Sequence, residues 1–178
     1  MGISGLLPQL RPAMKAVTLS DFKGKRVAVD ANVWIHRGTY ACASELVLGL
    51  PTDAYVNYCR KLCVLMREHG VFPVLVFDGH SIPAKSHTSE KRKQARQGAQ
   101  QRLDHIVEDV RELEAELQGK ASDRELQLRL GEARVALEKE AQRAVTVTGA
   151  MVERVLREMR GIDGVEVLRA PYEADAQL

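Results

Sequence analysis

Two valine-rich runs separated by one helix-period segment constrain this chain most. RVAVDANVW (Arg26 to Trp34) and VFPVLVFDG (Val71 to Gly79) are apolar almost throughout and too short for core helices, the pattern of strands buried on both faces. Between them, PTDAYVNYCRKLCVLMREHG offers Thr52 or Asp53 as a helix cap and Gly70 as a stop. Its apolar positions Tyr55, Val56, Cys59, Leu62, Cys63 and Met66 fall at helical spacing. The reading is strand, helix, strand. A third apolar piece, VEVLRAP (Val165 to Pro171), follows another helical pattern, AMVERVLREMRG, again closed by a glycine. The repeat predicts an α/β fold, a mostly parallel sheet with crossover helices.

Open parallel sheets place their ligands beyond the carboxyl ends of the strands. Asp30, Asp78 and the pair Glu173/Asp175 stand at three such ends. A single aspartate there is ordinarily a cap or turn acid, but four acids at three successive strand ends weigh against that reading for the whole set. Carboxylates are costly to desolvate without a positive partner, and an all-oxygen donor set suits Mg²⁺ or Mn²⁺. No H-E-x-x-H or Cys/His cluster argues for zinc. Glu173 and Asp175, at i and i+2, point to one side only in extended backbone. A strand-to-helix junction, which Pro171 favours, would let both reach one site. Spacing thus points to metal-dependent phosphate chemistry without naming a substrate. The chain has no G-x-x-x-x-G-K-[ST] loop for a nucleotide.

From Ser81 to Thr148 the character changes. Lys85, Lys91, Arg92, Lys93, Arg96 and Arg102 form a basic stripe against the single acid Glu90, with no hydrophobic face. From Leu103 an apolar period appears (Ile106, Val107, Val110, Leu113, Leu117), breaks near Gly119, and resumes at Leu126, Leu130, Ala133, Leu137 and Ala141. This predicts two helices folded back as a hairpin, with eleven acids and six bases between Asp104 and Glu140. A solvated, coiled-coil-like insertion is the plain interpretation of such mixed charge.

At 178 residues, 45% hydrophobic and 28% charged, the chain is sized for one domain with a polar excursion. Net charge is only +2, so affinity for nucleic acid must come from clustering. The three cysteines, Cys42, Cys59 and Cys63, form no C-x-x-C pair and are read as buried thiols of a reducing compartment. No apolar run reaches membrane-span length and no signal peptide is evident, so the reading is intracellular and soluble.

MGISGLLPQL, VAVDANVWIHRG, VLVFDGHSIPAK, EKRKQARQ and APYEADAQL, in this order, resemble the N-terminal nuclease region of the flap endonuclease/XPG family. The resemblance covers about 1 to 100 and 142 to 178. It implies a PIN-like (Rossmann-like) fold with a helical arch, and a structure-specific 5′→3′ DNA exonuclease with 5′-flap endonuclease capacity. Asp30, Asp78, Glu173 and Asp175 would be ligands of two Mg²⁺ ions, for which Mn²⁺ can substitute. Lys85 and Arg92 would be catalytic, polarising the scissile phosphate. Gly2, His36, Lys85, Lys91, Arg92, Lys93 and Arg96 would contact DNA, although His36 could equally be a satisfied helix histidine. The other histidines, His69, His80, His87 and His105, are read as solvent or cap residues.

The implied parts are 1–80, the N-terminal part of the nuclease domain; 81–148, a basic arch with an extra hairpin; and 149–178, the start of an internal nuclease motif. Segment 104–129 is extra length relative to the family pattern, either altering how a 5′ strand threads or decorating the surface. The family's second acidic run and its duplex-gripping element would lie after Leu178, leaving the fold incomplete at the C-terminus with an exposed sheet edge and an open face. The implied partners are DNA with 5′ ends, flaps, nicks or gaps, and mismatch-repair proteins. A monomer working in nuclear DNA repair, away from membranes, is expected. The alternative is a catalytically inactive fragment that binds DNA ends.

Overall fold

A computed structural model of the chain describes residues 5–80, 86–120 and 122–178. A short helix α1 (Leu6–Leu10) and two 3-10 turns (Arg11–Ala13, Leu19–Phe22) lead into β1 (Arg26–Asp30). Then follow α2 (Ala31–Tyr40), α3 (Ala43–Val47), α4 (Ala54–Glu68), β2 (Phe72–Phe77), α5 (Ser86–Gly119), α6 (Arg124–Ala144), α7 (Gly149–Arg160), β3 (Glu166–Arg169) and a 3-10 turn (Ala174–Ala176).

The strands form one parallel sheet in the order β1-β2-β3, with Asp30 level with Val76 and Arg169 level with Phe77. The expected α/β architecture is therefore present. Both crossovers run over the same face, so α4 and α7 pack on each other and on the sheet. Ile35, Tyr55, Cys59, Cys63, Leu75, Phe77, Val155 and Met159 form that core. On the opposite face Val74 and Val76 form a separate cluster with the small side chains of Ala170 and Ala174. Among the described residues β1 and β3 are both sheet edges, and Leu168 on β3 is exposed.

Two details depart from the sequence reading, and one choice it left open is settled. The first strand ends at Asp30 rather than Trp34, because the Asp30 carboxylate accepts from the amides of Asn32 (2.9 Å) and Val33 (3.2 Å) and starts α2 there. At α4 the capping oxygen is that of Thr52, which accepts from Ala54 N–H at 3.3 Å, while Asp53 pairs with Arg154. The helix does stop at Gly70, whose φ of 72° is left-handed. Finally, the basic stripe and the first arm of the hairpin are one unbroken helix, α5. The stripe also has an apolar foot, since Ala99 is buried with Leu103, Ala43, Ala141 and Ala144.

The hairpin forms as expected: α6 is capped by Asp123, which accepts from Glu125 and Leu126 amides, and Arg134 reaches Glu114 across the pair at 2.7 Å. It docks on α3, where the Ser44 hydroxyl donates to Glu138. Buried Glu140 lies between Arg102, at 3.0 Å, and Arg143. Burial raises its proton affinity, but hydrogen bonds and charge from the two arginines outweigh burial and hold the carboxyl below its ordinary value. All three cysteines are free and buried, and burial pushes the Cys59 thiol up to about 12 and Cys63 up to about 11. Among the described residues no helix is long and apolar enough to cross a membrane.

Candidate functional site

The site is built at the carboxyl ends of the three strands. Asp30 closes β1 half-buried, and Asp78 follows β2 directly and is exposed. The register Asp30↔Val76 puts Asp78 two residues further along the neighbouring strand. Alternation along β1 then places Asp30 toward the face of Val74 and Val76, opposite the helical core, while Asp78 lies just beyond the end of β2. One oxygen of each is committed to backbone, Asp30 to the start of α2 and Asp78 to Ala174 N–H at 2.7 Å.

The segment after β3 folds over these ends. Ala170 N–H donates to the Phe77 carbonyl at 2.8 Å, Gly79 N–H to Tyr172 at 2.5 Å and His80 N–H to Pro171 at 3.0 Å. His80 Nδ1 lies 3.2 Å from the same Pro171 oxygen. The approach is so close that a Cβ on Gly79 would stand 2.0 Å from the Ala170 oxygen and 2.6 Å from that of Pro171. Only glycine fits there. Ala170 and Ala174 are the buried residues of APYEADA, which leaves Glu173 half-buried and Asp175 exposed on either side of Ala174. Glu173 is extended (φ −80°, ψ 145°) and the 3-10 turn begins at Ala174, so the strand-to-helix junction anticipated from Pro171 is present.

Beside Asp78 opens a cleft of about 540 Å³. Asn32 and His36, one turn apart on α2, form one wall, and Gly149, Val152 and Glu153, on one face of α7, form another. Gly79, His80, Arg169 and Pro171 also line it. Its size lies in the usual range for ligand sites.

Of the residues singled out from sequence, Asp78 and His36 meet in this cleft, and Glu173 is brought to Asp78 through the Ala174 amide. Asp30, Glu173 and Asp175 do not line the cleft. Among the described residues no three His, Cys, Asp or Glu side chains converge as a group able to hold an ion. Lys93 and Arg96 lie on α5, exposed and half-buried respectively. Gly2 and Lys85 fall outside the described residues, as do the side chains of Lys91 and Arg92 on α5. The sequence reading missed Asn32, Gly79, His80, Glu153 and Arg169. Gly79 and His80 carried a signal in following Asp78 directly, as did Asn32 two residues after Asp30; Glu153 and Arg169 are joined to the site only by folding.

Comparison with known proteins decides the family. Residues 1–99 match the XPG N-terminal domain. The chain belongs to the XPG N-terminal domain family. Similarity to members of this group extends beyond that match. Exonuclease 1 of Xenopus laevis is 39% identical over 178 residues, all of this chain and 21% of that protein. Exonuclease 1 of Drosophila melanogaster is 37% identical, also over the whole chain and 21% of its own length. Exodeoxyribonuclease 1 of Schizosaccharomyces pombe is 36% identical over the whole chain and 27% of its length. The XPG-family chain thus spans about a fifth to a quarter of these relatives. Its fold matches the catalytic core of Rad2 in complex with DNA substrate, with a TM-score of 0.57 and 22% identity over 99% of this chain and 39% of that one.

The donor set fits a hard divalent cation in kind, being carboxylate oxygen throughout, with one oxygen of Asp30 and one of Asp78 left over after their backbone bonds.

Proposed function

We propose that the chain carries part of the active site of a metal-dependent, structure-specific 5′→3′ DNA exonuclease with 5′-flap endonuclease capacity, working in nuclear DNA repair beside mismatch-repair proteins. One observation carries the reading: two carboxylates end adjacent parallel strands, and the segment bearing two more is tied to the second of them by the Ala174–Asp78 hydrogen bond. Similarity to exonuclease 1 proteins over the whole chain supports it.

In this reading Asp30, Asp78, Glu173 and Asp175 would hold two Mg²⁺ ions, or Mn²⁺ in their place, which would supply charge stabilisation for phosphodiester hydrolysis. The chain's own work is to position. The backbone bonds to Asp30 and Asp78 fix each carboxylate before substrate arrives, so little reorganisation is left for the reaction. Residues 81–148 act as the arch, with Lys85 and Arg92 polarising the scissile phosphate and Lys91, Lys93 and Arg96 meeting the DNA backbone. Gly2 and His36 pack near the strand junction.

The test is a labelled 5′-flapped or 5′-recessed duplex incubated with Mg²⁺ and a version of the chain extended through the family's second acidic run. Cleavage is expected, abolished by EDTA and by Asp78→Ala. Turnover undiminished by Asp78→Ala would overturn the assignment of the acids.

A second reading, a DNA-end-binding module without catalysis, is favoured by the failure of three ligating side chains to converge among the described residues. It is the outcome if the chain binds duplex ends in a salt-sensitive way and cuts none of them.

A further inference from the structure

Arg169 takes no part in the carboxylate chemistry, yet it lines the same cleft as Asp78. It is the last residue of β3, and its register partner Phe77 is buried in the core covered by α4 and α7. The arginine therefore leaves the sheet on the α7 side, where its Nη2 donates to Glu153 Oε1 at 2.5 Å. Glu153 is on the α7 face that walls the cleft. Both side chains remain about half exposed, at 44% and 51%.

A guanidinium carries five N–H donors in a rigid fork, and one nitrogen is enough for Glu153. The other donors remain for an oxyanion entering the cleft. Asn32 and His36 of α2 line the same cleft, and a Cβ added at Gly149 would meet nothing within 4 Å. Asp78 and Arg169 stand side by side on this cleft, since Phe77 is level with Arg169, and the guanidinium held by Glu153 is the donor fork that a phosphate oxygen can meet there.

We infer that Arg169 is a substrate-binding residue that takes a phosphate of the DNA strand in this cleft, and that Glu153 is a positioning residue that aims its guanidinium. The inference rests on the proposed nuclease reading and adds a contact on the sheet side, away from the arch.

The experiment is the salt dependence of binding to a 5′-recessed duplex, by fluorescence anisotropy in EDTA. Each phosphate contact contributes about 0.7 to 0.9 to the slope of log K against log salt. Arg169→Ala is expected to lower the slope by about that amount, and Arg169→Lys, which keeps the charge, to restore it. Glu153→Gln should weaken binding and leave the slope as in the parent. Arg26→Ala is the control, because Arg26 makes a like pair with Glu166 at the amino end of the sheet; it should leave the slope untouched. Should Arg169→Ala not fold, Arg169→Gln replaces it.

A mere staple between β3 and α7 would lower thermal stability in the Arg169 and Glu153 variants and leave every slope at the parent value, which would overturn the inference. An equal loss in Arg26→Ala would overturn it too. If the parent binds no duplex, the nuclease reading fails by itself. Arg169 is then read from its Nε–H nuclear magnetic resonance signal during titration with a 5′-phosphorylated thymidine dinucleotide. A saturable shift upholds the anion contact, and no shift overturns it.

Discussion

Replacing Gly79 by alanine should uncouple the APYEADA segment from Asp78. The residue's φ is outside the left-handed region, so alanine is acceptable to the backbone and the whole cost is space. The new Cβ would begin 2.0 Å from the Ala170 oxygen. An ordinary carbon–oxygen contact is about 3.3 to 3.6 Å, so the strands must part by about 1.3 Å. That movement breaks the Gly79–Tyr172 and His80–Pro171 bonds and strains the Ala174–Asp78 bond. At about 1 kcal/mol for each neutral bond and about 1.5 to 3 for one to a carboxylate, the loss comes to roughly 3 to 5 kcal/mol. Urea denaturation measures it, and hydrogen exchange at Gly79, His80 and Ala174 locates it. Gly131→Ala is the control: its added Cβ meets nothing within 4 Å on a helix, so stability should rise by up to about 1 kcal/mol. A Gly79→Ala chain within about 0.5 kcal/mol of the parent, with those three amides still protected, would refute the close-approach argument.

Asp30 combines a cap with a proposed ligand, and two substitutions separate these roles. Asp30→Ala should cost about 1 kcal/mol through the lost α2 cap, whereas Asp30→Asn should keep most of that stability and still abolish cleavage. Glu140 has a folded-state proton affinity below its unfolded one, so its contribution is present above the unfolded value of about 4.3 and is lost as pH falls through the folded value. Glu140→Gln should therefore flatten the acid limb of a denaturation-versus-pH curve. The buried thiols act at the other end. With Cys59 held up to about 12 and Cys63 to about 11, stability should decline as pH rises above the unfolded thiol value of about 8.5. Iodoacetamide at pH 8 should label all three cysteines in urea and none of them in the native chain.

Strands and crossovers were legible because valine runs and helical spacing act locally. The stop at Gly70 was legible for the same reason. What the apolar run hid was the helix start inside it: Val33 and Trp34 prolong the pattern, but the Asp30 carboxylate, already read at a strand end, caps α2 there. The unity of α5 was hidden as well. Its basic half shows no stripe of large apolar residues, and the seam it buries is made by Ala99, whose small side chain gives a weak signal in a hydropathy pattern. Strand-end acids could be picked out individually, but their relation to the cleft depends on contacts between positions about ninety residues apart, such as His80 with Pro171. Gly79 shows the limit most clearly: it reads as an ordinary turn glycine until the Ala170 carbonyl is placed against it.

Helix α5 has a mechanical consequence. At about 1.5 Å of rise per residue its 34 residues run roughly 50 Å, and from the seam at Ala99 to Ser86 is about 20 Å. A tilt of about 5° at the seam shifts Ser86 by roughly 1.7 Å, and a misplacement near 1 Å can cost a reaction about a hundredfold. Ala43, Ala99, Ala141 and Ala144 thus serve as the bearing of a lever. In the proposed reading, the volume that bearing can accept is decided at the far end of the helix, where the basic residues would meet DNA.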